Sequence, residues 1–349
     1  MTRAGTSISF RLAGAAAVAL VLALAAPAGA ETVAEFYKGK TVTIVTSTGV
    51  GGTYDLVARM VARHMPRYLP GNPTMVVQNM PGGGNVLATN FMYNIAPKDG
   101  TTIATIHNAM PLHQVLDGRG VRYDAGKFNW LGSTGADNEV VFAWHTAGIR
   151  SVADAVRHEV VLGGTGAGSG IVIIPTAMNN VLGTRFKIVT GYKSSEEINL
   201  ALQRGEVQAR AFSFGSIWAQ HPEWLNDGTI VVLAQAGRAR EHHLPDVPLL
   251  TELAKTDEQR AVLNLISASA ALGQPYVAPP DVPADRLAAL RRALAATLAD
   301  KEFLAEAEKL RIEIEPMGAE DTARVVIDTI GAPAEIVAKA RAAMTVSER

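Results

Sequence analysis

Apolar positions along this chain follow two rhythms. Short β-branched runs, apolar at successive positions, alternate with longer stretches in which apolar residues recur every three or four places. Val42-Thr43-Ile44-Val45 reads as a strand buried on both faces, and Leu56, Met60, Val61 and Met65 then predict a helix for which Asp55 can serve as N-cap. A strand over Thr74–Gln78, a helix over Val86–Tyr93, a tight turn at Pro97-Lys98-Asp99-Gly100 and a strand over Thr101–Ile106 follow. A new unit opens with Val140–Trp144. Ser151 with Asp154, and Ser194 with Glu197, have the spacing of helix caps, and Gly205 takes the place just beyond a helix end. Further strands are predicted at Glu159–Leu162, Val207–Phe212 and Thr229–Ala234. Gly273–Pro280 reads as a return crossing, Pro283 opens a helix to about Ala299, and two more helices close the chain.

Strands alternating with helices predict an α/β architecture of mostly parallel sheets with helices on both faces. Crossings near residues 140 and 270 divide it into a discontinuous first domain, residues 31–139 plus 267–349, and an inserted second domain, residues 140–266. Tryptophans 144, 218 and 224 are read as core or hinge packing.

Three strand-to-helix turns are rich in glycine: Ser47-Thr48-Gly49-Val50-Gly51-Gly52, Pro81-Gly82-Gly83-Gly84-Asn85, and Gly163-Gly164-Thr165-Gly166-Ala167-Gly168-Ser169-Gly170. A turn with few side chains leaves backbone N–H groups bare at a helix start, where the helix dipole favours a small anion. In open α/β sheets ligands lie beyond the carboxyl ends of strands, which is where these turns fall. Turns of this kind in opposing domains predict a clamp.

Composition narrows the field. The net charge is −1 and no Lys/Arg block occurs, which argues against nucleic acid or an anionic membrane surface as partner. The absence of cysteine excludes disulfides, thiolate catalysis and Cys-ligated zinc. Residues 1–30 have the form of a secretory signal: Arg3 and Arg11, an apolar run Leu12–Ala26, then Ala28-Gly29-Ala30. That run is short for a bilayer span, so cleavage near Glu31, export and no membrane insertion afterwards are expected.

Nucleotide and hydrolase fingerprints fail. A dinucleotide loop begun at Gly164 needs glycine where Ser169 stands, and a phosphate loop ending at Gly39-Lys40-Thr41 needs one at Ala34. Gly168-Ser169-Gly170 lacks the flanks of a nucleophile elbow, and no zinc-protease spacing occurs. His107 and His113 follow a strand end and could act with Asp55 in a secreted hydrolase or isomerase. A loop histidine is more often simply solvated, as His242-His243 is read here, and Asp55 is better explained as a helix cap. No catalytic residue, metal or cofactor is expected.

Several segments together resemble the solute-binding receptors of tripartite tricarboxylate transporters, the Bug-type extracytoplasmic receptors. They are Phe36–Val45 with the Gly51-Gly52 turn and Asp55; Gln78-Asn79-Met80-Pro81-Gly82-Gly83-Gly84-Asn85; Ala96–Thr101; Gly191-Tyr192-Lys193; Ala201–Val207; Pro245–Pro248; and Val277–Pro283. The resemblance implies a two-domain periplasmic binding protein (type II-like) joined by two crossing strands. It would be a monomer that closes over a small organic carboxylate and delivers it to transporter membrane subunits; a sensor role would use the same clamp. By position it places ligand contacts at Ser47, Thr48 and Gly49 and at Gly164, Thr165 and Ser169, with His107, Asn108 and Ser213 as looser candidates. Two departures bear on which ligand is bound. The first turn is more hydroxylated and less aromatic than in many members, and Gln208 stands where an aspartate is usual.

Overall fold

A computed structural model describes residues 31–166 and 169–344. The expected signal segment 1–30, and Ala167 and Gly168 of the second glycine turn, lie outside the described residues.

The strands are β1 Thr41–Thr46, β2 Thr74–Asn79, β3 Thr102–Thr105, β4 Asn129–Ser133, β5 Glu139–Trp144, β6 Val160–Gly164, β7 Phe186–Thr190, β8 Ala209–Ser213, β9 Ile230–Ala236, β10 Pro275–Ala278 and β11 Met317–Gly318. They form two sheets, ordered β11-β4-β10-β3-β1-β2 and β7-β6-β8-β5-β9. The parallel parts are β2-β1-β3, with Val42 opposite Met75 and Ile44 opposite Ile103, and β7-β6-β8.

The sheets are mixed rather than mostly parallel, because the crossings add antiparallel strands. The strands β10 and β5 each enter a sheet from the end where its parallel strands finish. They therefore run opposite to β3 and β8 respectively. Ser133 consequently lies opposite Pro275, and Glu139 opposite both Ser213 and Ala236. The carboxyl ends of both parallel sets thus point at the same crossings.

Each crossing depends on a glycine at one point. Gly273 has φ +50°, and a Cβ there would sit 1.6 Å from the Gly135 carbonyl oxygen; a Cβ on Gly135 would sit 2.3 Å from that of Glu315. Residues with positive φ and this backbone approach cannot carry a side chain without displacement.

Each sheet is covered by helices whose apolar faces recur at helical spacing. Val57, Met60 and Val61 of helix Thr53–His64 join Ile44, Ile103 and Tyr276 in one core. Ile173, Ile174 and Ala177 join Leu162, Val141 and Ala211 in another. The last helix, Ala334–Ala343, packs on helix Asp257–Ser267 and adds Ala340 and Ala343 to the second core. Helix Met110–Leu116 adds Leu112 and Leu116 to it. Residues 334–343, expected with the first domain, pack on helix Met110–Leu116 of that domain and on helix Asp257–Ser267 of the inserted one. Trp144 and Trp224 meet edge to face at 5.2 Å. No described helix is long and apolar enough to cross a membrane.

Candidate functional site

The strands β1 and β3 end side by side, and the residues just beyond them build the first wall of a cleft. Ser47 N–H donates to the Thr105 carbonyl (3.3 Å), and Ser47 Oγ accepts the His107 N–H (3.0 Å). The hydroxyl proton of Ser47 stays free to be donated. Thr48 and Gly49 continue the wall, held by Asn79, whose Nδ2 donates to the Thr48 carbonyl (3.1 Å) and to Asp55 Oδ1 (2.9 Å). Asp55 is not the expected N-cap, since that position belongs to Gly52. Its buried carboxylate, one turn in, accepts the Gly51 N–H (2.9 Å) and Arg59 Nε (3.1 Å). Burial raises its pKa, but the donors from Arg59, Gly51 and Asn79 outweigh burial and hold it below the usual carboxylate value. Asp55 therefore staples the turn and does not meet His107.

His107 stacks on Tyr54 with ring centres 5.5 Å apart. Its Nδ1 accepts the Ala109 N–H (3.2 Å), which puts the ring proton on Nε2. Burial pulls its pKa down to about 4, so the ring is neutral at pH 7 and offers one N–H. Tyr54 accepts the Asn108 N–H (3.1 Å) and donates to the Gly273 carbonyl (2.9 Å), fixing this wall to a crossing. His113 lies away from the cleft, with Nε2 at 3.2 Å from the Arg119 carbonyl oxygen.

The second wall comes from the other sheet. Thr165 Oγ1 donates to Ser169 Oγ (3.0 Å), which donates to the Gly166 carbonyl (2.8 Å). Both hydroxyl protons are thus committed within the turn. The free donors here are backbone ones, at Gly170 and Ile171, where helix Gly170–Ala177 begins. Ser213 caps the next helix by accepting the Ser216 N–H (3.1 Å) and donates to Asp137 Oδ2 (2.7 Å). The walls touch directly: Thr53 Oγ1 lies 2.8 Å from Ser216 Oγ.

Between the walls is a cavity of about 560 Å³, lined by Ser47, Thr48, Gly49, His107, Asn108, Thr165, Ser169 and Ser213 of the sequence-derived candidates. Gly164 does not line it. That residue ends β6 inside the lobe, where a Cβ would lie 2.6 Å from Val172 Cγ2, so its small size serves packing.

Sequence reasoning missed three acids that line the cleft, Asp137, Glu139 and the exposed Glu196. Burial pushes the Asp137 carboxyl up, opposed by the donors Ser213 and Gly215. Glu139 Oε2 is shut off from solvent with no hydrogen-bond partner. Burial, and then the nearby Asp137 charge, push Glu139 up to about 7, with Arg210 pulling the other way. Arg210 is fully buried. It donates to the Ser195 carbonyl (2.9 Å) and to Asn199 Oδ1, and its guanidinium lies over the Phe212 ring (3.9 Å). Burial lowers its pKa to about 9, so it stays cationic at pH 7. The available signal was Asp137-Asn138-Glu139 standing directly before the apolar run Val140–Trp144: two acids at a crossing, where the strand ends of both lobes converge.

The sequence pattern described as the tripartite tricarboxylate transporter family receptor matches residues 57–341. A relative in Cupriavidus necator, the "UPF0065 protein in gbd 5′region", is 26% identical over 263 residues, 73% of this chain and 76% of that one. Among solved structures, the periplasmic binding protein BugD superposes with a TM-score of 0.68 at 19% identity, covering 88% of this chain and 98% of BugD. MatC from Rhodopseudomonas palustris, solved with bound malate, gives 0.67 at 19% identity over 85% and 99%. R. palustris Rpa4515, solved with adipate, gives 0.67 at 22% identity over 87% and 97%. These structures share the two-lobed fold, and the family match spans most of the chain; the protein belongs to the tripartite tricarboxylate transporter receptor family, the Bug-type solute-binding receptors.

Proposed function

We propose that this protein is a periplasmic receptor that captures a small organic carboxylate between its lobes and delivers it to the membrane subunits of a tripartite tricarboxylate-type transporter. The observation that carries this reading is the cleft itself. The Ser47 hydroxyl and the neutral His107 ring, at the ends of β1 and β3, face the start of helix Gly170–Ala177 across a cavity of about 560 Å³. These donors are uncharged, so the grip they supply can also be released; Lys193 and Glu196, one cation and one carboxylate, line the cavity as well. The malate and adipate held by the two R. palustris proteins are ligands of this chemical kind.

Asp137 and Glu139, deep in an anion receptor, need an account. Glu139 keeps its proton up to about pH 7, so it meets a carboxylate as a neutral group with the buried Arg210 cation nearby, and Asp137 is held by the Ser213 hydroxyl and the Gly215 N–H. The arrangement holds and releases a ligand; no nucleophile–base pair is assembled among the residues that line the cleft.

The test is a thermal-shift screen of mono-, di- and tricarboxylates with the wild-type protein and Ser47→Ala. A true ligand at about a hundredfold excess over its Kd stabilises the protein by about 2.7 kcal/mol. Loss of a hydrogen bond to a charged group weakens binding about 10- to 150-fold in Ser47→Ala. Equal binding by both proteins removes the cleft from the reading.

A further inference from the structure

Away from the cleft floor, a second constellation of side chains joins the lobes. The loop after β9 carries Glu241, His242 and His243, and the segment before β11 carries Glu313; one ligand atom from each lies within 4.8 Å of the others. His243 Nδ1 stands 3.4 Å from Glu241 Oε1 and 3.6 Å from Glu313 Oε1, and His242 Nε2 stands 3.6 Å from Glu313 Oε1. Four donors at about 2.0–2.1 Å around a tetrahedral zinc ion are separated from one another by about 3.3–3.4 Å. These three separations are close to the spacing of ligands around an ion, and the fourth contact, His242 Nδ1 to Glu241 Oε1, is shorter at 2.7 Å.

We propose that Glu241, His242, His243 and Glu313 form a divalent-metal site, suited to zinc, that bridges the two lobes beside their crossings. The orientation of each histidine agrees. His242 offers either ring nitrogen, Nδ1 at 2.7 Å from Glu241 Oε1 and Nε2 at 3.6 Å from Glu313 Oε1. His243 is braced by Trp218, ring centres 4.1 Å apart, and by Phe214 at 5.7 Å.

The position gives the site a consequence. Two residues past Glu313, the Glu315 N–H donates to the Thr134 carbonyl (2.9 Å) at one crossing. On the other lobe, Asn138 Nδ2 donates to the Ala239 carbonyl (2.8 Å) at the root of the histidine loop. An ion at this point fastens both loops together next to the hinge and favours the lobe arrangement in which the walls touch.

The experiment is calorimetric titration of zinc chloride into untagged, chelator-treated full-length protein, with His243→Ala and Glu313→Gln alongside. One ion per chain should bind, and each variant should weaken binding by about tenfold or more. Urea unfolding in chelator should show Glu313→Gln folded as stably as the wild type, since Glu313 is exposed, so that its loss of zinc binding reads the site and not the fold. Cobalt(II) in place of zinc should show the intense visible bands of tetrahedral coordination. No saturable binding up to about millimolar zinc, or binding that Glu313→Gln leaves unchanged, overturns the proposal, as does an octahedral cobalt spectrum.

Discussion

Replacing Glu139 by Gln tests whether an acid really sits unserved in the cleft. The ordinary glutamate value is 4.5, and in the folded protein the group titrates at about 7. Below pH 4.5 both folded and unfolded chains hold the proton. Between pH 4.5 and 7 the unfolded chain has lost it while the folded protein keeps it, so stability falls as pH rises through this window. A difference of that size corresponds to about 3 kcal/mol. His107 acts in the opposite sense. Its folded value of about 4 lies below the ordinary 6.5, so its contribution is lost as pH falls from 6.5 to 4, again by about 3 kcal/mol. In the wild type the two trends oppose each other between pH 4.5 and 6.5. Urea unfolding of ligand-free wild type and Glu139→Gln from pH 4 to pH 8 reads this directly. The variant should gain about 3 kcal/mol relative to wild type on going from pH 4.5 to 8, and its own stability should rise with pH up to 6.5 as the His107 trend is unmasked. A difference between the two proteins that stays constant with pH would refute the reasoning.

Asp55→Ala should cost about 1–3 kcal/mol in urea unfolding, because it strips Gly51, Asn79 and Arg59 of a shared buried acceptor; a loss under about 0.5 kcal/mol contradicts the staple. Ser169→Ala should weaken ligand binding less than Ser47→Ala in calorimetry, since the Ser169 proton is already given to Gly166; the reverse order sinks that ranking. Gly273→Ala places a Cβ 1.6 Å from the Gly135 oxygen, so the crossing must deform. It should lower thermal stability by several degrees, and an unchanged melting point would show that the crossing is slack.

What the sequence made legible was governed by local chemistry. The β-branched run Val42–Val45 and the spacing of Leu56, Met60, Val61 and Met65 place β1 and its helix, because burial on both faces and on one face leave different periods. Ser151 and Ser194 cap their helices by accepting the Asp154 and Glu197 N–H groups. The hydroxyl-rich first turn lies on the cavity for the same reason: a glycine turn after a parallel strand has nowhere else to point. Long-range partners were not legible. Asp55 has the composition of a cap, and only the fold brings Asn79 beside it. Glu139 looks like an ordinary strand-opening acid until β5 is laid between β8 and β9. His242 and His243 read as solvated because Glu313 lies seventy residues on. The placement of the last helix depends on Ala340 and Ala343, and small apolar residues do not announce which helices they pack on.

The central claim is that uncharged donors from both lobes hold a small carboxylate. A crystal structure of the protein with a ligand from the screen tests it most directly. The account predicts a carboxylate oxygen at hydrogen-bond distance, about 2.7–3.0 Å, from Ser47 Oγ, with His107 Nε2 also on the ligand and the start of helix Gly170–Ala177 facing it from the other lobe. A ligand held by one lobe alone, or bound through Lys193 with Ser47 and His107 untouched, would contradict it.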